Sequence, residues 1–161
     1  MITLTLNDGA VRAGADAPAE TTFADWAAGG YGTPAHGAAL VLANDLDLSS
    51  VDPRANFSLF GEIIVHVPTF KDGRAYSQVR RLREQYGFDG VVRVRGDVLR
   101  DQVQFMARVG VTAVDVADDA VGGVKESARD FSVFYQASVR QYGADRAGPI
   151  WRRRAARALA A

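Results

Sequence analysis

Between Phe70 and Asp115 the chain runs twice through one pattern: a charged turn, a helix-forming stretch and a short apolar run. The first pass reads F-K-D-G-R-A-Y-S-Q-V-R-R-L-R-E-Q-Y-G-F-D-G-V-V-R-V. The second reads R-G-D-V-L-R-D-Q-V-Q-F-M-A-R-V-G-V-T-A-V-D. Helical periodicity alternating with short apolar runs argues for β/α units, with parallel strands joined by right-handed crossovers. Ligands in such folds bind at the strand-to-helix junctions, where this chain places its charges.

The helix over Arg74–Tyr86 carries Tyr76, Val79, Leu82 and Tyr86 on one face. Arg80 and Glu84 form an i,i+4 pair on its outer side. Gly87 is placed to stop it. A second helix over Val98–Val109 turns Leu99, Val103 and Met106 inward and stops at Gly110, and a last one is expected over Val124–Arg140. Strands are expected at Ala38–Ala43, Glu62–Val67, Val91–Val94 and Ala113–Val116, with Asp52–Phe60 as a helix or a crossover loop. Near the start, Met1–Leu6 and Ala10–Ala13 flank Asn7-Asp8-Gly9, a hairpin signal. Gly14–Glu20 reads as loop, Thr22 as the cap of a short helix through Ala28, and Gly29–Gly37 as loop. The expected fold is α/β: four sequential β/α units with a parallel sheet, half-barrel-like, plus a small N-terminal hairpin and loop extension. Residues 1–37 are read as an extension packed on the main domain, 38–142 as the β/α domain and 143–161 as an Arg-rich tail. The two edges of such a sheet make a homodimer the expected assembly.

Cysteine is absent, so the chain supplies no disulfide, no thiolate nucleophile and no ligand for a cysteine-held cluster. No Gly-x-Gly-x-x-Gly, P-loop, Ser–His–Asp set or metal-spaced His pair occurs. No metal, flavin, haem or cluster is expected. Nineteen basic residues balance nineteen acidic ones, which argues against nucleic-acid binding. No membrane span or signal peptide is read, so the cytoplasm is the expected location.

Charged residues follow each expected strand: Asn44 and Asp45, then Lys71, Asp72 and Arg74, then Asp97, Arg100 and Asp101, then Asp115 and Asp118. Parallel strands bring all of them to one rim. Lys71, Gly73, Arg74 and Ser77, with Arg100 from the next loop, form a candidate anion site. Cationic side chains, a Gly turn and free helix-terminal N–H groups suit an anion. The plainer alternative has Asp72 capping the helix and Gly73 taking the turn. Asp97 and Asp101 are candidate catalytic carboxylates, acting on a proton or a divalent cation. Their plainer roles are a helix cap for Asp97 and an ion pair from Asp101 to Arg74 or Arg95. His66 reads as a neutral, hydrogen-bonded residue of a core strand. Phe131, Phe134, Tyr135 and Tyr142 read as core or as a partner-facing helix surface.

The segments D-G-R-A-Y-S at 72–77, R-R-L-R at 80–83 and R-G-D-V-L-R-D-Q-V-Q-F-M-A-R-V-G at 95–110 resemble a bacterial family of unknown function. Its members are often labelled oxidoreductases of sulfite reduction, because their genes lie beside those of assimilatory sulfite reductase. The resemblance is densest from Ile63 to Val116; F-S-V-F-Y-Q at 131–136 and N-D-G at 7–9 extend it. Lys71 departs from the family's usual Thr, and V-T-A-V-D at 111–115 stands where Phe-Asp-Ala-Phe is usual. The resemblance implies an accessory protein of assimilatory sulfite reduction. Such a protein would bind a partner, sulfite reductase or another sulfur-assimilation protein, or a small anion. The alternative is an enzyme with a rim site, acting on a small anionic substrate through Asp97 or Asp101 and Arg74.

Overall fold

The computed structural model describes residues 2–6, 11–12, 18–127, 133–134 and 148–149. In chain order the elements are β1 (Ile2–Thr5), β2 (Val11–Arg12), β3 (Glu20–Thr22), α1 (Phe23–Ala28), β4 (Ala39–Leu42), β5 (Glu62–Val67) and α2 (Arg74–Glu84). There follow β6 (Val91–Gly96), α3 (Val103–Val109), β7 (Ala113–Val116), α4 (Val121–Ser127), β8 (Val133–Phe134) and β9 (Gly148–Pro149). The protein is α/β, with a mostly parallel sheet. Its seven strands lie in the order β2-β1-β7-β6-β5-β4-β3, and β8 and β9 form a separate parallel pair. From β3 to β7 each parallel strand lies beside its neighbour in sequence. β1 runs antiparallel along β7 and carries β2 as a hairpin.

Several sequence expectations change here. Glu20–Thr22 is a strand where the loop was expected to run through Glu20, because parallel pairing with β4 satisfies its backbone, and its last residue, Thr22, caps α1 as expected by accepting the Asp25 N–H at 3.1 Å. The N-terminal segment therefore supplies strands to both flanks of the sheet. The edge strands, β2 and β3, are only two and three residues long, a length that limits pairing with another chain. Of the two expectations for Asp52–Phe60, the crossover loop holds: the β4–β5 connection carries two 3-10 turns, Leu48–Ser50 and Phe57–Leu59. The helix expected from Val98 starts at Val103, after a 3-10 turn over Arg100–Gln102, and this leaves Leu99 exposed. Of the helix expected over Val124–Arg140, α4 is described over Val121–Ser127, and Val133–Phe134 is extended, as its β-branched and aromatic residues favour. Most of the tail, with Phe131, Tyr135 and Tyr142, lies outside the described residues.

The two faces of the sheet differ. Leu40, Leu42, Ile63, Val65, Val67, Val92, Val94, Val114 and Val116 join Leu4 in one apolar core. All four helices pack on that face, through Trp26, Val79, Leu82, Val103, Met106 and Val124. The Arg83 guanidinium ties α2 to the end of α3 by donating to the carbonyls of Gly110 (2.8 Å) and Gly90 (2.8 Å). Gly110 ends α3 at φ 111°, a left-handed cap that suits glycine. The alternate residues of the same strands, Glu20, Thr3, Glu62, His66, Arg93, Arg95 and Asp115, project from the opposite face.

Candidate functional site

That opposite face carries a row of buried charges. Arg93 is only 2% exposed. Its Nε lies 2.5 Å from Glu62 Oε1, and one terminal nitrogen donates to both Asp115 carboxylate oxygens at 3.3 Å and to Thr3 Oγ1 at 3.2 Å. Thr3 in turn donates to Asp115 at 2.6 Å. Arg95 donates to Asp115 Oδ2 at 3.1 Å and grips Glu20 with two nitrogens, at 3.0 and 2.5 Å. The Arg95 contact holds the Glu20 carboxyl below its ordinary range, and Glu20 raises the Arg95 guanidinium in turn. Arg95 is thus committed to Glu20 and Asp115, not to Asp101.

Because β3 to β7 are parallel, the loops after them meet at one rim. The loop after β4 is held there from two sides. Gln78, buried on α2, donates to the carbonyls of Ala43 (2.8 Å) and Leu46 (2.9 Å). Asn44 donates to Asp72 at 2.7 Å. Asp72 also accepts the Arg74 backbone N–H at 3.1 Å and pairs with its guanidinium at 3.1 Å. The Arg74 N–H and then the Asn44 amide hold the Asp72 carboxyl below its usual value.

This loop divides two clefts. The smaller, about 190 Å³, lies between the loop and α2 and is lined by residues 44–48 with Arg74, Ser77, Gln78 and Arg81. Arg74, Ser77 and Arg81 recur at i, i+3 and i+7, one stripe of the helix. Arg81 makes only a long, exposed pair with Asp47, at 3.4 Å. Asp47 is held below its ordinary value first by the Ser49 hydroxyl. Among the described residues, the acceptor oxygens of Asn44 (Oδ1) and Gln78 (Oε1) are buried and meet no hydrogen-bond donor.

The larger cleft, about 670 Å³, opens on the other side of the loop, at the ends of β3, β4 and β5. Phe23, Tyr31, Val41, Leu42 and Leu46 give it an apolar lining; Asp45, Asp47, Asp52 and His66 supply its titratable groups. His66 is exposed here rather than set in the core. It stands opposite Arg95 in register, one residue before the β5 C-terminus. Tyr31 is held at φ 62°, a left-handed conformation that costs a tyrosine about 1 kcal/mol. Edge-to-face packing on Trp26, at 5.1 Å, fixes its ring.

Of the residues singled out in the sequence, Arg74 and Ser77 come together in the smaller cleft. Lys71 is exposed, with its ammonium 5.6 Å from the centroid of the Phe70 ring. Gly73 sits at φ −80°, and a Cβ there would meet nothing within 4 Å, so the turn does not depend on glycine. Arg100 pairs with Glu126 at 3.4 Å, on the α4 side. Asp97 caps no helix: its carboxylate accepts the Phe70 N–H at 3.0 Å and ties the β5 loop to β6. Asp97 and Asp101 line neither cleft. Arg81 was missed, although its spacing from Arg74 and Ser77 was visible.

Among the described residues no group of three or more His, Asp or Glu could hold a metal ion, and no helix is long and apolar enough to cross a membrane. The model of a family described as bacterial proteins of unknown function (DUF934) matches residues 39–144. No curated protein and no solved structure matches the chain.

Proposed function

The chain belongs to the bacterial family of unknown function DUF934, and we propose that it is an accessory protein of assimilatory sulfite reduction that holds a small oxyanion at its rim. The pathway rests on the sequence resemblance. The observation that carries the anion is the stripe of Arg74, Ser77 and Arg81 along one wall of the smaller cleft. Two guanidiniums and a hydroxyl match the oxygens of sulfite, sulfate or phosphate. Their carboxylate partners, Asp72 and Asp47, form solvent-exposed pairs. Pairs of that kind are worth about 0–1 kcal/mol, so an entering anion competes with them.

The half-barrel form of the sheet belongs to the same reading. Strands in a flat sheet lie about 4.8 Å apart, so β3 and β6 would be separated by about 14 Å. Glu20 on β3 nevertheless reaches both Arg93 (3.5 Å) and Arg95 (2.5 Å) on β6. That convergence supports a sheet curved around its charged face, with the clefts at the rim where barrels place their sites.

Anaerobic titration calorimetry with sulfite tests the site. Saturable binding is expected. Replacing Arg74 and Arg81 together by alanine removes two charged hydrogen bonds, so affinity should fall by about tenfold or more while the fold is kept. Equal affinity in both forms would place the anion elsewhere.

A further inference from the structure

The larger cleft differs in chemistry from the anion site. No Lys or Arg lines it, while Asp45, Asp47 and Asp52 do. Asp52 is engaged by Arg54 in a pair at 2.8 Å, and Asp47 accepts from Ser49. Asp45 has no hydrogen-bond or ion-pair partner among the described residues. Its carboxylate therefore stands available at the mouth of a cleft whose lining is mainly apolar. The volume, about 670 Å³, is that of a site for an organic molecule, and it far exceeds an inorganic ion. Its place at the C-terminal ends of parallel strands is where α/β sheets bind ligands.

We propose that this cleft is a second ligand site and takes a small organic cation: an amine or amidine on an apolar or aromatic body. The body lies against Phe23, Tyr31, Val41 and Leu46, and the cation meets Asp45. His66 offers a ring nitrogen for a hydrogen bond at the sheet end of the cleft. The negative lining excludes organic anions of the same shape. Phe23 and Tyr31 add aromatic faces suited to a cation, and Arg54 already lies 5.6 Å from the centroid of the Tyr31 ring. The proposal does not rest on the anion reading: the loop residues Asp45, Leu46 and Asp47 border both clefts, but the cation is held by Asp45 and the anion by Arg74, Ser77 and Arg81, so either site can fail alone.

Three probes of one shape test it by calorimetry: tryptamine, its neutral alcohol tryptophol, and indole-3-acetate. Tryptamine should bind about twofold to fivefold more tightly than tryptophol, the range expected for an exposed ion pair, and indole-3-acetate most weakly. Asp45→Asn should erase the difference between tryptamine and tryptophol while leaving tryptophol unchanged. Ser50→Trp, at an exposed lining position, should weaken both by filling the cleft. Equal affinities, a preference for the acid, an unchanged ratio in Asp45→Asn, or no saturable tryptamine binding below about 10 mM would each overturn the proposal.

Discussion

Replacing Arg93 with methionine should destabilise the protein by about 3–5 kcal/mol, the largest loss expected from any single side chain on the charged face. Arg93 is the common partner of Glu62 and Asp115, which are themselves buried. Methionine fills similar volume but leaves two carboxylates facing each other without the cation between them. Each carboxylate then loses the cation that offsets its desolvation. Arg95 still holds Asp115 from one side, while Glu62 loses its close contact with Arg93. Adding Glu62→Gln to Arg93→Met should recover part of the stability, because it lowers the buried negative charge that Arg93 no longer balances. Denaturant unfolding measures both variants. A loss below about 1 kcal/mol in Arg93→Met would mean that water or neighbouring groups solvate these carboxylates, and that the face is not a closed ion network.

Gly96→Ala should cost about 3–4 kcal/mol, from left-handed strain and a backbone collision together. Gly96 ends β6 at φ +128°, and a Cβ there would lie 2.0 Å from the Val67 carbonyl oxygen and 2.8 Å from its carbon. Those atoms are backbone of the neighbouring strand and cannot rotate aside. The same oxygen accepts the Asp97 N–H at 2.9 Å, and Asp97 holds the Phe70 N–H. Pushing the strands apart therefore loosens the β5 loop as well as the sheet. Gly73→Ala is the matched control. With φ −80° and open space around it, that change should be neutral or slightly stabilising. Thermal unfolding of the pair decides it: equal melting temperatures would remove the close approach from the account.

Strands β4 to β7 were legible because each is a short apolar run between turn residues. The stripe of α2 was legible too, and Arg80 and Glu84 form the pair their spacing implied, at 2.9 Å. Glu20-Thr21-Thr22 has no apolar alternation, so its strand depends on a long-range partner, β4, that local pattern cannot name. The charged face was hidden for a related reason. Glu62, Arg93 and Asp115 look like solvated residues one at a time, and only strand register brings them together. Asp97 fits the spacing of a cap, but Val98 and Leu99 lie outside the helix, Leu99 being extended, and Asp97 binds the Phe70 N–H instead. One wall of the smaller cleft, Arg74–Ser77–Arg81, could be read from helical spacing. The other wall could not, because the loop after β4 takes its shape from Gln78, whose partners are backbone carbonyls more than thirty residues away.

Growth of a strain lacking this chain, on sulfate, sulfite, sulfide or cysteine as the sulfur source, joins the pathway to the site. The account predicts poor growth on sulfate and sulfite and normal growth on sulfide and cysteine. The unaltered chain should restore growth, and the chain carrying Arg74→Ala with Arg81→Ala should not. Normal growth of the deletion strain on sulfite, or full rescue by the double variant, would contradict it.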